Sequence, residues 1–288
     1  MYKYPLYRPP SEAYSLIIQA TLGCSHNKCS FCSMYKGKQF IIKPIEQIKK
    51  EIDIFRDEYE IVEKIFLADG DALIIPIAEL KEILEYIKIK FPECKRVTSY
   101  GSPKAILNKS VKELSELKNL GLSMIYMGIE TGDEEILEEI HKGVTIKELI
   151  EAANKVKEAK IQLSATVIAG IGGVEKSLKH GINTGKLISE IAPDYLGVLS
   201  LMIEEGTELI ENIKQNKFNV LSDKQVLKEL EVLVGNIDSL ENIVFRCNHA
   251  SNYIMLKGTL PRDKERLLKE IRDCIDSSLF RNEQDRRL

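Results

Sequence analysis

The sequence predicts an α/β fold built from parallel strands and crossover helices. Short apolar runs rich in β-branched residues alternate with longer stretches in which apolar residues recur every three or four positions. This alternation is typical of a parallel sheet whose strands are joined by helices. Six strand–helix units fit into about the first 215 residues, whereas a closed eight-unit barrel typically needs about 250. Periodicity therefore favours an incomplete barrel or an open sheet and does not separate the two.

Each predicted strand is a mostly apolar run, of the kind that is covered on both faces in a parallel sheet. The strands are predicted at Ser15–Ala20, Glu63–Ala68, Arg96–Tyr100, Met124–Ile129, Gln162–Ala169 and Tyr195–Leu201. The helices between them are predicted at Ile45–Tyr59, Ile77–Lys90, Val111–Leu120, Ile146–Ala159 and Glu175–Ile191.

The last part of the chain follows a different pattern. A helical segment at Asp223–Leu233 precedes one β-like run, Asn242–Arg246, and a final helix is predicted at Arg262–Ser277. The sequence has no Gly/Ser-rich linker that would separate this part from the rest. We therefore predict a core over residues 1–215 and a C-terminal α/β extension over residues 216–288 that packs on it.

Composition and charge narrow the class of protein. Hydrophobic residues make up 44% and charged residues 30% of the 288 residues, the profile of an ordinary globular protein. No apolar run approaches the roughly 20 residues that span a bilayer, and the N-terminal residues lack a signal-peptide pattern. We therefore predict a cytoplasmic location and no membrane partner. The 41 basic and 44 acidic residues are well mixed, which disfavours nucleic acid as a partner.

Three of the six cysteines, Cys24, Cys29 and Cys32, lie within nine residues directly after the first predicted strand. In parallel α/β proteins the loops at the carboxyl ends of strands carry ligands and active sites. Three thiolates can hold three irons of a 4Fe–4S cluster and leave the fourth iron without a protein ligand. A structural zinc site needs four ligands, for which His26 is the nearby candidate. Spacing favours the cluster and leaves zinc or redox-active cysteines open.

The cysteine loop resembles the cluster loop of the radical S-adenosylmethionine (SAM) superfamily. That family usually spaces its cysteines C-x3-C-x2-C, and this chain reads C-x4-C-x2-C, with one extra residue between Cys24 and Cys29. Phe31 matches the aromatic residue of the family pattern, whose backbone region lies near the adenine of SAM. The resemblance implies one 4Fe–4S cluster held by Cys24, Cys29 and Cys32. It also implies a partial (β/α)6 TIM-type barrel with the C-terminal α/β extension.

Two later strand ends resemble SAM-binding positions of the same family. After the second strand, Asp69-Gly70-Asp71 resembles the Gly-Gly-Glu motif that binds the methionine amino group, with aspartates in place of the first glycine and the glutamate. All three residues are therefore predicted to bind SAM. The third strand ends at Ser99, predicted to contact SAM, and Tyr100, predicted to face the substrate as a catalytic residue. A simple Asp-Gly turn and strand-end packing are the alternatives.

The fourth and fifth strands extend the resemblance over about residues 14–215. The fourth ends in Gly-Ile-Glu-Thr-Gly, similar to the coproporphyrinogen-dehydrogenase-like and tRNA-modifying branches. The resemblance implies that Glu130 accepts hydrogen bonds from the ribose hydroxyls. The alternative is a carboxylate that stabilises a helix N-terminus. The fifth strand carries a glycine-rich motif in which Ser164, Ile168 and Gly170 are implied to bind SAM around its adenine.

A dense polar string, RCNHASNY, follows the β-like run of the extension. Polar density at the end of an element is typical of a functional surface. Arg246 can pair with a substrate carboxylate or phosphate, and His249 can act as an acid or base near neutral pH. We predict that these two residues, with Asn248 and Asn252, are catalytic residues that act on the substrate. A network of caps and turns is the alternative.

The resemblance implies a reaction as well as a fold. The enzyme would reductively cleave SAM at a single cluster to a 5′-deoxyadenosyl radical, which abstracts hydrogen from a small or medium organic substrate. The implied protein partner is an electron donor such as flavodoxin or ferredoxin. The alternatives are a tRNA-modifying enzyme of the same family and, from another class, a zinc-stabilised binding protein. His141 and His180 lie in or beside polar helices and are expected to face solvent.

Overall fold

The computed structural model describes residues 2–282, 284 and 286 of the chain. The strands are β1 Leu16–Gln19, β2 Thr21–Leu22, β3 Ile41–Ile42, β4 Lys64–Ala68, β5 Arg96–Tyr100, β6 Leu122–Glu130, β7 Gln162–Ala169, β8 Tyr195–Ser200, β9 Ile243–Cys247 and β10 Leu256–Leu260. The helices are α1 Ile45–Glu58, α2 Ile77–Lys90, α3 Pro103–Leu107, α4 Val111–Asn119, α5 Glu134–Glu139, α6 Ile146–Glu158, α7 Gly173–Ile191, α8 Glu208–Lys214, α9 Asp223–Gly235 and α10 Lys264–Ser277. Over the described residues, none of these helices has the length and apolar character needed to span a membrane.

Every predicted strand and helix is present, with ends within two residues of the prediction. The α/β class is therefore confirmed. The sequence patterns missed β10, the short hairpin of β2 and β3, and the short helices α3, α5 and α8. These elements have too few residues to establish a period, so periodicity carries no signal for them.

The chain divides into two compact units. Unit 1 comprises the residues up to 27, residues 34–127 and residues 151–163. Its strands β1, β4, β5 and the first part of β6 lie side by side in that order and are all parallel. Strand β4 is almost entirely buried, with Phe66 fully covered. The parallel strands bring the loops that follow β4 and β5 to the same edge.

Unit 2 comprises residues 28–33, residues 128–150 and the chain from residue 164 onward. Strands β7, β8 and β9 are parallel neighbours, and β10 adds to β9 in the antiparallel sense. Helices α7, α9 and α10 belong to this unit. The predicted boundary between a core and an extension at residue 215 is not one of the limits of these units and stays a prediction.

Strand β7 presents two different faces. Its buried residues in unit 2 are Ala165, Val167 and Ala169, and the alternating, partly accessible residues are Ser164, Thr166 and Ile168. The period of two follows from the pleat of the strand, which turns successive side chains to opposite faces. One face of the β7–β8–β9 sheet is thus packed, and the other, which we call the open face, is partly accessible.

Candidate active site

The cysteine loop follows β2, and its three thiols are partly exposed and not joined by disulfides. Gly23 and Asn27 adopt left-handed conformations, with φ of 73° and 44°, which glycine and asparagine tolerate best. Cys24 belongs to unit 1, and Cys29 and Cys32 belong to unit 2. In the part of the chain that the structure describes, no three His, Cys, Asp or Glu side chains have the geometry of a metal site. The ligands are therefore assigned by the loop spacing and stay a prediction.

Asp69 anchors the start of this loop within unit 1. Its Oδ2 atom receives a salt bridge from Lys38 Nζ at 2.8 Å and hydrogen bonds from Gln19 Nε2 and the Gly23 N–H, both at 3.1 Å. Both charged side chains are buried. Among the described residues, the buried Oδ1 atom of Asp69 has no hydrogen-bond partner. Sequence reasoning missed Lys38, because a single lysine in a loop carries no periodic or motif signal.

Gly70 lies against the cysteine loop. Its N–H donates to the Gly23 carbonyl at 3.0 Å. A Cβ atom at this position would lie 2.7 Å from the Tyr35 ring and 3.1 Å from the Cβ of Cys24, distances at which side chains must shift. The glycine is therefore required by the close approach of the backbone to Cys24.

Asp71 connects the same loop to the end of β5. Its carboxylate accepts hydrogen bonds from the Ser25 hydroxyl at 2.5 Å, the Ser102 N–H at 3.0 Å and the Ser102 hydroxyl at 2.7 Å. Burial raises the pKa of Asp71, and the bonds from the two serines oppose that rise. Asp69 and Asp71 thus both hold the unit 1 part of the cysteine loop, and their contacts to SAM stay predictions.

The end of β5 is packed rather than open. Ser99 is buried, and its hydroxyl donates to the Tyr100 carbonyl at 2.7 Å. The Tyr100 ring meets Phe66 edge to face with centroids 5.0 Å apart, and it meets Tyr126 at 6.1 Å. Burial raises the pKa of the Tyr100 hydroxyl, so the hydroxyl stays protonated at neutral pH. Its predicted role facing the substrate is not tested by these contacts.

Phe31 joins an apolar cluster in unit 2. The cluster contains Ile168 at the end of β7, Leu201 after β8 and three buried isoleucines, Ile136, Ile140 and Ile171. The adjacent Ser30 is fixed by its backbone, which donates to the Ile140 carbonyl at 3.0 Å and accepts from the Leu209 N–H at 2.9 Å. The structure thus brings together two of the predicted adenine-binding residues, Phe31 and Ile168.

Glu130 ends β6 with a φ of 66° and is largely buried. Its Oε1 atom pairs with Lys142 Nζ at 2.6 Å. A Cβ atom on Gly128 would lie 2.2 Å from that oxygen, so the glycine in the Gly-x-Glu sequence makes room for the carboxylate to fold back. A carboxylate paired with lysine still accepts hydrogen bonds, which suits the predicted contact with ribose. The pairing with Lys142 had no signal in the sequence.

Gly170 lies at the edge of a cavity of about 300 Å³ in unit 2. Its φ of 90° is one that side-chain-bearing residues rarely adopt. Leu201, Val226, Tyr253 and Arg286 also line the cavity. The cavity therefore adjoins the apolar cluster, because Leu201 belongs to both.

Some residues of the polar string in the extension are accessible, and others already form hydrogen bonds within the protein. Arg246 and Asn248 are exposed, and His249 is partly buried with Nδ1 2.9 Å from the Ser251 hydroxyl. Burial lowers the pKa of His249, so the ring is neutral at pH 7. Asn252 is buried, donates to the Val198 carbonyl at 2.8 Å and accepts from Ser200 at 3.1 Å. Its amide thus already ties the loop to β8, and its role toward the substrate stays a prediction.

Arg286 is a lining residue that sequence reasoning did not find. Its buried guanidinium donates to the Ser251 carbonyl at 2.6 Å and the Leu201 carbonyl at 2.9 Å. It also lies 3.8 Å from the centroid of the Tyr253 ring, a cation–π contact. The residue comes from a charged C-terminal segment, in which composition alone predicts an unstructured tail.

Comparison with known proteins identifies the family and several relatives. A model of the radical SAM superfamily matches residues 18–179. The chain is 23% identical over 264 residues to an uncharacterised protein of Methanocaldococcus jannaschii, which covers 88% of this chain and 76% of that protein. It is 19% identical to the heme chaperone HemW of Buchnera aphidicola, over 78% of this chain and 62% of HemW.

A third relative is the tRNA uridine(34) acetyltransferase of Methanocaldococcus jannaschii. The identity is 24% over 123 residues, which is 41% of this chain and 22% of the acetyltransferase. The chain thus spans less than two thirds of HemW and of the acetyltransferase. The name of the acetyltransferase includes tRNA, so the prediction that nucleic acid is disfavoured has no support from the relatives.

Solved structures share the fold. Coproporphyrinogen III oxidase HemN from Escherichia coli superposes with a TM-score of 0.60 at 16% identity, over 77% of this chain and 51% of that chain. The methyltransferase TsrM from Kitasatospora setae has a TM-score of 0.55 at 17% identity, over 70% of this chain and 39% of TsrM. These likenesses confirm the predicted fold class, a partial (β/α)6 TIM-type barrel. Because the family model covers more than half of the residues, the chain belongs to the radical SAM superfamily, a family of enzymes that use a 4Fe–4S cluster and SAM.

Proposed function

We propose that this enzyme reductively cleaves SAM at one 4Fe–4S cluster held by Cys24, Cys29 and Cys32, and that it abstracts hydrogen from an organic substrate. One observation carries the proposal: the loop with three partly exposed thiols is braced at its start by the buried carboxylates Asp69 and Asp71. Three thiolates suit a cluster with one open iron. When bound, cluster and SAM supply the 5′-deoxyadenosyl radical.

The residues of unit 2 support a binding place for the adenosine part of SAM. Phe31 and Ile168 offer an apolar surface, and the adjoining cavity of about 300 Å³ beside Gly170 and Leu201 has room for a purine base. Glu130 supplies a carboxylate that can accept hydrogen bonds from the ribose hydroxyls. We expect these residues to bind and orient the adenosine part of SAM, and the apolar cluster to exclude water from the reacting centre.

The substrate side is supported by the open face of the β7–β8–β9 sheet. Arg246 lies in register with Gly197 on one side and Lys257 on the other. Its guanidinium contacts the carbonyls of Phe245 and Gly258. Among the described residues neither Arg246 nor Lys257 has a carboxylate partner. Two adjacent cations favour a substrate that carries a carboxylate or phosphate. We propose a small or medium organic molecule, a cytoplasmic reaction, and flavodoxin or ferredoxin as electron donor.

Anaerobic reconstitution with iron and sulfide tests the proposal. We expect about four irons and four sulfides per chain, and 5′-deoxyadenosine after reduction in the presence of SAM. Cys24→Ala, Cys29→Ala and Cys32→Ala should each lose the cluster and the cleavage. Cys94→Ala, at a partly buried cysteine outside the loop, is the matched control and should keep both. A chain that binds one zinc and does not cleave SAM would contradict the proposal.

A second candidate function is modification of tRNA. The similarity to the tRNA uridine(34) acetyltransferase over 41% of this chain favours it. The two candidate functions differ in the molecule that loses hydrogen to the 5′-deoxyadenosyl radical. Deuterium transfer to 5′-deoxyadenosine from a labelled small metabolite supports the first, and transfer from deuterated tRNA supports the second.

A further inference from the structure

Two buried polar side chains of unit 2 lie behind the ends of β6 and β7. His180 in α7 and Glu229 in α9 both have side chains with no exposed surface. His180 Nδ1 is 2.8 Å from the Thr131 hydroxyl, and its Nε2 is 3.2 Å from the Ile168 carbonyl. Glu229 Oε1 accepts a hydrogen bond from the Gly170 N–H at 2.6 Å and lies 3.5 Å from His180 Nε2. The pair thus contacts both strand ends.

The hydrogen-bond partners of His180 indicate which nitrogen of its imidazole ring carries the proton. The Ile168 carbonyl can only accept, so Nε2 carries the hydrogen and Nδ1 is the acceptor. The Thr131 hydroxyl then donates to Nδ1 and accepts the N–H of Asp133 at 3.1 Å. Burial lowers the pKa of His180 to about 4, so the ring is neutral at pH 7. A neutral ring with one donor and one acceptor is what these contacts require.

Glu229 is buried, and no cationic side chain among the described residues lies beside it. Burial raises the pKa of the carboxyl to about 7, and hydrogen bonds from the Ser177 side chain and the Gly170 N–H oppose that rise. Burying a carboxyl without a cation beside it costs free energy, and such groups are enriched at functional sites. Folding stability is therefore a poor explanation for a glutamate at this position.

We infer that His180 and Glu229 are positioning residues that fix the ends of β6 and β7 for SAM. The inference rests on the proposed function, because it concerns the same binding site. His180 joins Thr131, the residue after Glu130, to Ile168. Glu229 fixes the N–H of Gly170, which lines the cavity. The pair therefore connects the carboxylate of Glu130, proposed to bind the ribose, with the residues proposed to bind the adenine. We do not propose that the pair itself contacts SAM.

The position of these strand ends is sensitive to the loss of either anchor. Gly170 is in a left-handed conformation, which its hydrogen bond to Glu229 helps to hold. A displacement of about 1 Å in a binding group can reduce function on the order of a hundredfold. Removal of the acceptor at Glu229 should therefore weaken SAM binding more than it weakens the cluster or the fold.

The test measures the dissociation constant of S-adenosylhomocysteine by equilibrium dialysis on the anaerobically reconstituted protein. We expect Glu229→Met and His180→Met to raise it about tenfold or more with unchanged iron content. Glu229→Gln keeps a carbonyl acceptor for Gly170 and should recover most of the affinity. Ser189→Ala is the matched control, since Ser189 in α7 also contacts the chain after α9, at the Asn236 carbonyl, but far from both strand ends. It should leave the affinity unchanged.

The outcomes separate this inference from the proposed function. If the wild-type protein binds no S-adenosylhomocysteine, the proposed function fails and the inference falls with it. If the wild type binds and Glu229→Met binds equally well, only the inference is overturned. Where Glu229→Met does not fold, the ¹⁵N spectrum of the wild-type histidines decides. His180 should show the neutral Nε2–H tautomer and shift when the ligand is added, and an unshifted His180 resonance overturns the inference.

Discussion

Both units bury a carboxyl group beside the end of a strand, but they stabilise it in opposite ways. In unit 1, Asp69 forms a salt bridge with Lys38 at 2.8 Å and receives two further hydrogen bonds. In unit 2, Glu229 has a neutral histidine as its neighbour, and it accepts hydrogen bonds from the Gly170 N–H at 2.6 Å and from the Ser177 side chain. The first carboxylate is paired with a buried lysine, whereas burial raises the pKa of the second to about 7, so its protonated form prevails only below that pH.

This difference predicts different weaknesses. A paired buried charge is vulnerable to loss of its partner, because the remaining ion has neither water nor a counter-ion. An unpaired buried carboxyl is vulnerable to pH, because ionisation in the apolar interior is unfavourable. The unit 1 part of the cysteine loop is thus held by an ion pair, while the Gly170 end of the proposed adenosine site in unit 2 is held by a carboxyl without a cation.

The largest expected effect is that of Lys38→Met. The substitution leaves the buried Asp69 carboxylate without its cation and should lower the free energy of unfolding by about 3–5 kcal/mol. Urea denaturation of the chain without cluster, at pH 7, measures it. The double variant Lys38→Met/Asp69→Asn removes the orphaned charge and should be more stable than the single variant. A single variant as stable as the wild type would show that the ion pair does not hold unit 1.

The second prediction concerns the pH dependence of stability at Glu229. Its pKa is about 7 in the folded chain against 4.5 when exposed, so the folded chain binds the proton more tightly. The contribution of this group to stability is full below pH 4.5 and is lost as the pH rises through 7. The loss amounts to about 3 kcal/mol. Glu229→Gln, which cannot ionise, should therefore be more stable than the wild type at pH 8.

Urea midpoints at pH 5 and pH 8 measure this effect. His180 titrates in the opposite sense: its pKa falls from 6.5 to about 4, so its contribution is present above pH 6.5 and is lost as the pH falls through 4. Because the wild type and Glu229→Gln both contain His180, its titration affects both proteins alike and cancels in their comparison. If the urea midpoints of the wild type and of Glu229→Gln changed equally between pH 5 and pH 8, Glu229 would not be an unpaired buried carboxyl.

Gly70→Ala is expected to have a smaller effect, on packing against the cysteine loop. The new Cβ atom meets the buried Tyr35 ring at 2.7 Å, and overpacking of this kind costs about 1–3 kcal/mol. Because Cys24 is the next neighbour, the iron content after reconstitution should fall as well. Gly37→Ala is the control in the same region, since a Cβ atom there meets no atom of the described residues within 4 Å. Normal iron content in Gly70→Ala would show that the loop tolerates the shift.

The sequence predicted well what repeats along the chain and poorly what depends on distant contacts. Strand and helix ends agree within two residues, because the apolar period reports which face is buried. Strand β10 was missed since its sequence, LKGTL, has a central glycine and little β character, and pairing with β9 determines its conformation. The expectation that His180 faces solvent was wrong, because Thr131 and Ile168 bind it inside unit 2.

The same contrast applies to the site. The cysteine spacing and the Gly-x-Glu sequence are local patterns, so the sequence alone could indicate the cluster loop and Glu130. Lys38, Lys142 and Glu229 act through residues 12 to 59 positions away along the chain. A partner at such a distance leaves no period or motif that a single sequence can show. The anchors of the site were therefore visible only in the structure.

The smallest expected effect on stability is that of Arg246→Gln, on the open face of the unit 2 sheet. The residue is exposed, and its guanidinium contacts only the carbonyls of Phe245 and Gly258 among the described residues, so the urea midpoint should not change. If Arg246 binds an anionic substrate, uncoupled formation of 5′-deoxyadenosine should persist in the variant while deuterium transfer from the substrate falls. Lys257→Gln, on the neighbouring strand position, should behave alike. Equal deuterium transfer in both variants and the wild type would place the substrate elsewhere than at these two cations.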